Sequence, residues 1–224
     1  LDVLFLSDTH VLDRCRRIGI RAERMWEACD PDVYRPLEAI HDQEQQEFLC
    51  DVSLVGSTYP YRAEMLEPLA EFDLKIWGAF WGYSRKEEQL SSLMAQRHRG
   101  RQLSGREKNL VYNLSQVNLN PVQPVECITA SNQRLHQISS AGAFQLHELA
   151  PDLEKQYRVD SEIVTFDDRD DLLEKVRFFL SHPDDAQEIA FAARKRMLSE
   201  HTFSHRVDEM LGHYWRIRPA TSAT

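Results

Sequence analysis

Long apolar runs, paired cysteines and an excess of positive charge are all missing from this sequence. No stretch approaches the roughly 20 consecutive apolar residues that a membrane-crossing helix needs, so no span is expected. The four cysteines, Cys15, Cys29, Cys50 and Cys127, form no C-x-x-C pair and have no ligand-like spacing with histidine. That argues against a zinc site or a disulfide framework and for reduced, mostly buried thiols. Basic residues number 27 against 36 acidic ones, a net charge of -9. A duplex nucleic-acid binder needs a basic face to displace counterions, so nucleic acid is not an expected partner. A small anionic ligand stays open, because a few arginines suffice to hold a diphosphate on an acidic protein. The opening LDVLFLSDTH lacks the basic start of a signal peptide and reads as a core strand. It has no initiator Met, so upstream residues are expected, as is a cytoplasmic setting. Internal repeats and low-complexity segments are also missing.

What is present is an alternation of short apolar segments and amphipathic ones. The 224 residues, 42% apolar and 28% charged, suffice for one large domain or one domain plus part of another. Strands are expected at 2–6, 51–55, 74–77, 117–120, 143–146 and 162–166, with a short one within 19–25. Helices are expected at 11–17, 61–72, 105–114, 132–141, 169–181, 184–200 and 203–215. Segment 29–36, with Pro31 and Pro36, is a breaker-rich connector, and polar residues dominate 41–47. A boundary there separates 1–36 from a domain of 37–215, with 216–224 as a frayed tail. The alternation implies an α/β fold with a parallel sheet covered by helices on both faces. Such sheets bind ligands at the carboxyl ends of their strands.

Two segments carry the residue types that bind anions. In Val55-Gly56-Ser57-Thr58-Tyr59-Pro60-Tyr61-Arg62 a strand turns into a helix: Gly56 permits close approach, the hydroxyls donate, and Arg62 offers a bidentate contact. A single glycine is a weak fingerprint, and spacing alone favours an ordinary capped turn with Arg62 solvated. The stretch from Ser131 to Phe144 places Ser131 as an N-cap and puts Asn132, Arg134 and His136 in the first turns of a helix. It then turns through Ala141-Gly142-Ala143 into a strand. Physical chemistry leaves a diphosphate and ribose site and a capped helix with a glycine stop evenly matched there.

Three other features read better as structure. Asp167, Asp168, Asp170 and Asp171 stand at a helix start, where carboxylates cap and balance the dipole. His201 and His205 are four apart with no third ligand evident. Trp77 beside Gly78, and Trp81 beside Gly82, are core or interface side chains before they are stacking platforms.

The motifs also follow one another in a definite order. Asp30-Pro31 to Tyr34-Arg35-Pro36 comes first, then Asp51-Val52-Ser53-Leu54-Val55-Gly56-Ser57 with Arg62, then Ile76-Trp77-Gly78. Val117-Asn118-Leu119-Asn120 follows, then Asn132-x-Arg134 with Gly142-Ala143-Phe144, then Glu162-Ile163-Val164. Phe178-Phe179-Leu180-Ser181-His182-Pro183 and Glu200-His201-Thr202-Phe203 with Arg206 complete the series. In that order and spacing, over nearly the whole chain, the sequence resembles the group-one-like glycosyltransferases related to spore maturation protein CgeB.

The resemblance implies the C-terminal half of a GT-B-type fold, with two Rossmann-like domains. Residues 1–36 would be the last strand and helix of the N-terminal domain plus the hinge, and 37–215 the nucleotide-sugar-binding domain. It implies that Gly56, Ser57 and Arg62 face a diphosphate and that Arg101, Gln102 and Leu103 lie by the base. Asn132 and Arg134 would approach phosphate or sugar, and Gly142, Ala143 and Phe144 would close the site. The closing helix would pack back toward the N-terminal domain. Gln137 stands where relatives usually carry the Glu of an Arg-x-Phe-Glu run that accepts hydrogen bonds from the ribose. It keeps an acceptor oxygen but no charge. Eight positions earlier, where retaining enzymes carry another Glu, stands Thr129.

Glycosyl transfer is therefore the leading expectation. The partners would be a nucleotide-diphosphate sugar, an acceptor (glycan, protein or small molecule) and the N-terminal domain. No Asp-x-Asp motif occurs, so neither a metal nor another cofactor is expected, and the arginines would stabilise the departing diphosphate. No catalytic base is assigned. Gln137 and Thr129 favour a second reading, a non-catalytic scaffold in spore or surface maturation. A doubly wound binding domain of another kind fits the periodicity but leaves the motif order unexplained.

Overall fold

Leu4–Leu6 (β1), Thr9–Arg17 (α1) and Ala22–Arg24 (β2) form a parallel β-α-β unit in which Leu4 pairs with Ala22 and Leu6 with Arg24. The computed structural model describes residues 3–58, 60–79, 95–122 and 128–217. After the connector, the second unit alternates helix and strand: Asp42–Phe48 (α2), Cys50–Val55 (β3), Pro60–Leu66 (α3) and Leu74–Trp77 (β4). Gly105–Leu114 (α4), Ser115–Asn120 (β5), Arg134–Ser140 (α5), Gln145–Glu148 (β6) and Val164–Phe166 (β7) follow. Arg169–Ser181 (α6), Pro183–Glu200 (α7) and Phe203–Ile217 (α8) close the described chain.

Among the described residues the main sheet has five parallel strands in the order β4-β3-β5-β6-β7. The chain leaves β3 toward β4 on one side and then returns past it to β5 on the other. The winding direction thus reverses between β3 and β5, which opens a crevice at their carboxyl ends.

The strands alternate rather than being apolar throughout. Val52, Leu54, Leu74, Ile76, Val117, Leu119, Leu146, Val164 and Phe166 point to one face, where they pack with α3, α6 and part of α7. The opposite face carries Ser53, Asn118, Asn120 and Gln145, all buried beneath α4 and α5. Buried amides are tolerated when their hydrogen bonds are made, and here they are. Ser53 Oγ donates to Asn118 Oδ1 at 2.9 Å, and Asn118 Nδ2 donates to the carbonyl of Phe144 at 3.0 Å. Asn120 Nδ2 reaches Gln145 Oε1 at 3.2 Å, and Gln145 Nε2 reaches the carbonyl of Leu135 at 2.9 Å. A second apolar cluster surrounds this polar ladder, with Trp77, Leu110, Tyr112, Leu135, Ile138 and Met197.

Several boundaries differ from expectation for local reasons. The polar run 41–47 belongs to α2, whose DQEQQEF sequence shows no apolar period. It is held by a capping box between His41 and Glu44 and by one buried residue, Phe48. The helix expected over 61–72 ends at Leu66 and continues as a 3-10 turn, Glu67–Glu71, because Pro68 cannot extend it. The strand expected at 143–146 starts at Gln145, since Gly142 stops α5 with φ +70 and two residues are spent leaving the turn. The connector is not loose: Cys29 and Tyr34 are buried in the second apolar cluster, Tyr34 against Tyr112 at 6.1 Å.

Candidate functional site

The crevice at the reversal point is a cleft of about 390 Å³, within the range of small-molecule sites. Its floor is the end of β3, Val55-Gly56-Ser57, beside the end of β4, Trp77-Gly78-Ala79. These two ends approach closely. Gly56 N donates to the Trp77 carbonyl at 2.7 Å, and a Cβ on Gly78, whose φ is +142, would lie 2.2 Å from Gly56 O. Only glycine fits at 78, for both steric and backbone reasons. One wall is Gln102, Leu103, Lys108 and Tyr112, and the other is Asn132, Gln133, Arg134 and Gln137.

Two guanidinium groups converge at Gly56. A Cβ there would lie 2.2 Å from Arg134 Nη2 and 3.5 Å from Arg62 Nη1, so the missing side chain makes room for the arginines. Arg62 is buried; it donates from Nη1 to the carbonyl of Ser57 at 2.5 Å and from Nη2 to that of Pro121 at 2.9 Å. Arg134 is held from below by the polar ladder, donating from Nη1 to Asn120 Oδ1 at 3.0 Å. The helix that carries Arg134 is started by Asn132, whose Oδ1 accepts from the Arg134 backbone N at 3.0 Å. Gln137 lies deeper, its Oε1 accepting from the Tyr112 hydroxyl at 3.3 Å and its Nε2 donating to Gln133 Oε1 at 3.2 Å. The described residues lining the cleft bring three cations, Arg62, Lys108 and Arg134, and no carboxylate.

Gly56, Ser57, Arg62, Gln102, Leu103, Asn132, Arg134 and Gln137 therefore meet in one cleft. Arg101 does not join them. Its guanidinium is drawn outward to Glu47 at 2.6 Å and Glu107 at 2.5 Å, and the residue serves the cleft through its carbonyl, which accepts from Gly78 N at 3.1 Å. Gly142, Ala143 and Phe144 lie at the far end of α5, lining a separate recess with Pro36, Phe179 and Ala190. A seven-residue helix, about 10 Å long, stands between them and Arg134. They cannot close this cleft. Ser131 does not cap α5 either; it is buried and its Oγ accepts from Gln156 Nε2 at 3.3 Å.

His136 points the other way from Arg134 and is buried beside Tyr157 and His201, the two imidazoles stacked at 4.7 Å. Burial, followed by the neighbouring His201 and Arg206, holds its pKa well below the ordinary histidine value. His201 and His205 are structural too: His201 bonds to the carbonyl of Gln156 and to Arg206, and His205 to Thr202. Asp168 caps α6, accepting from the backbone N of Asp170 and Asp171 at 2.9 Å. Trp77 is 1% exposed and packs on Phe48, and Trp81 and Gly82 lie outside the described residues. Sequence reasoning missed Lys108, Tyr112, Gln133 and the ladder residue Asn120. The first two stand four apart on α4, one turn beyond Leu103, which is the signal that would have found them.

A second polar cluster joins the β-α-β unit to the loop before α5. Asp8 Oδ2 accepts from the backbone N of Thr129 at 2.7 Å and of Ala130 at 3.2 Å, and Asp8 Oδ1 caps α1 through Val11 N at 3.1 Å. Asp152 accepts from the Thr9 hydroxyl, from Thr129 Oγ1 at 2.6 Å and from Lys155 at 2.5 Å, with Arg24 at 3.6 Å. Burial would raise the Asp152 carboxyl, but these bonds outweigh it and pull its pKa down to about 2. Among the described residues, no helix is long and apolar enough to cross a membrane.

With 13% identity and a TM-score of 0.72, the chain is similar to a sucrose-phosphate synthase from Thermosynechococcus elongatus, covering 96% of this chain and 58% of that one. A glycosyltransferase from Rickettsia africae aligns over 98% of this chain and 64% of its own, with 11% identity and a TM-score of 0.72. HepE from Anabaena, solved in complex with UDP and glucose, aligns over 96% of this chain and 63% of its own, with 8% identity and a TM-score of 0.74. The chain spans less than two thirds of the length of each of these proteins. At such identities the likeness concerns the fold, which is that of the GT-B glycosyltransferases. No curated protein matches the chain in sequence. Residues 62–212 match the family described as glycosyl transferase-like, and the chain, with more than half its length matched, belongs to that family.

Proposed function

We propose that the chain is the donor-binding part of a glycosyltransferase of the CgeB-like group, and that its cleft holds a nucleotide-diphosphate sugar. The observation that carries this reading is the convergence of Arg62 and Arg134 on Gly56 at the reversal point of the sheet. Two guanidinium groups converging on the diphosphate stabilise the charge that develops as the sugar leaves, with no metal required. Leu103 and Tyr112 offer the base an apolar wall, and the amides of Gln137 and Gln133 face the ribose hydroxyls. A partner Rossmann-like domain supplies the acceptor side. Calorimetric titration with nucleoside diphosphates and their sugar conjugates tests the reading: micromolar binding supports it, and no binding by the folded protein ends it.

A second reading, a glycosyltransferase-like scaffold that binds donor without turning it over, is favoured by one observation. Thr129 is held by Asp8 and Asp152, and Gln137 carries no charge, so neither position brings a carboxylate to the donor. Tight nucleotide binding with neither donor hydrolysis nor transfer by the full-length protein would favour this scaffold over the enzyme.

A further inference from the structure

The basic residues around the start of α4 fall into two groups. Arg101 is paired with Glu47 and Glu107, and Arg106 with Glu44 at 2.6 Å. Lys108, on the same helix, has no side-chain acceptor among the described residues, although it is half-buried in the cleft wall. Its position is costly on two counts. Burial disfavours the ammonium, and the charge of Arg134 across the cleft repels it; together they pull its pKa below the ordinary lysine value. Glutamates neutralise Arg101 and Arg106 close by, so a cation to which the described residues bring no carboxylate, on the cleft side of the same helix, is available to a ligand.

The neighbours of Lys108 point to the part of that ligand it meets. Lys108 and Tyr112 are four apart on one face of α4, and the Tyr112 hydroxyl bonds Gln137. Lys108 therefore shares the face of α4 that reaches the amide of Gln137, within electrostatic reach of Arg134, whereas Arg62 and Arg134 meet at Gly56. We propose that Lys108 is a ligand-binding residue that holds the phosphate attached to the ribose, leaving the distal phosphate to Arg62 and Arg134. This rests on the donor-site reading above. A diphosphate with its ribose phosphate at Lys108 and its distal phosphate at Arg134 replaces their mutual repulsion with two attractions, and the lysine makes the cleft selective for nucleotides over nucleosides.

The test is a matrix of affinities for UMP and UDP, with the adenosine and guanosine pairs alongside, in the wild-type protein and in Lys108→Met, Lys108→Arg and Arg134→Met, each checked for an unchanged melting curve. Lys108→Met is expected to weaken monophosphate and diphosphate by the same factor, roughly tenfold, the worth of one charge-assisted hydrogen bond. Arg134→Met should weaken the diphosphate much more than the monophosphate. Lys108→Arg, which keeps the charge, should stay within about threefold of wild type. Unchanged affinities in Lys108→Met, a loss confined to the diphosphate, or an equal loss in Lys108→Arg would each overturn the assignment. A wild-type protein that binds no nucleotide overturns the donor-site reading itself, whereas a wild type that binds while Lys108→Met is unaffected overturns only the role of Lys108.

Discussion

Two polar clusters flank the loop that leads into α5, and they are built on opposite plans. On the side of the β-α-β unit, Asp8 and Asp152 are surrounded by donors from the chain itself: the backbone of Thr129, Ala130 and Val11, the hydroxyls of Thr9 and Thr129, and the cations Arg24 and Lys155. On the cleft side, three cations line a cavity to which the described residues bring no carboxylate. Charge that is answered within the protein contributes to stability. Charge aimed at a cavity, as at Lys108, contributes little to folding and is available to a ligand. Substitutions on the β-α-β side should therefore change stability without changing nucleotide affinity, and those on the cleft side should do the reverse.

The largest effect is expected at Asp152. Asp152→Ala leaves the Thr9 and Thr129 hydroxyls without their carboxylate acceptor and takes the counter-charge from Arg24 and Lys155, a loss of about 2–3 kcal/mol in urea unfolding. Nucleotide affinity should hardly move, and a large drop would merge the two clusters into one functional unit.

Acid should reveal the same carboxylate in the intact protein. Its folded pKa of about 2 lies below the ordinary value of 3.8, so the folded state binds the proton less readily than the unfolded state. The stabilisation is complete above pH 4 and disappears as pH falls toward 2, an amplitude of about 2 kcal/mol. Asp152→Asn should flatten that part of the stability profile, and an unchanged slope would show that other groups control acid unfolding.

On the cleft side, Arg134→Met is expected to weaken nucleoside diphosphate binding by about 10- to 100-fold while leaving stability within about 1 kcal/mol. A variant that is strongly destabilised without losing affinity would assign Arg134 to the structural side of the comparison. The smallest effect should come from Gly142→Ala. The φ of +70, together with Pro36 Cγ only 3.2 Å from where the alanine Cβ would stand, predicts a loss of about 1 kcal/mol in stability. Affinity should stay at the wild-type value, because α5 separates this turn from the cleft.

Much of this was legible in the sequence. The ends of α4 match expectation residue for residue, since Ser104 and Glu107 form a capping box and the apolar run stops at Leu114. Asp168 was readable as a cap for the same reason, a carboxylate just ahead of free backbone N–H groups. Among the cleft residues, Gly56, Ser57, Arg62, Asn132 and Arg134 all follow strand ends, and a parallel sheet brings strand ends together. Other features needed information from distant parts of the chain. Arg101 has the residue type of a ligand contact, but Glu47, 54 positions away, takes it instead. Gly142 to Phe144 belong to the same motif as Arg134, yet a helix of intervening residues sends them to a recess of their own.

Periodicity, capping residues and breakers act over a few neighbours, so the order of strands and helices apart from α2, the α/β class and the glycine stops were settled by the chain alone. Which charges are answered was settled only on folding. Glu47 reaches Arg101, Asp8 reaches Thr129, Asn120 reaches Arg134, and no side-chain acceptor among the described residues reaches Lys108. Electrostatic partnership depends on distance in space, over a few ångströms and through a poorly polarisable interior, and sequence separation carries almost no information about it.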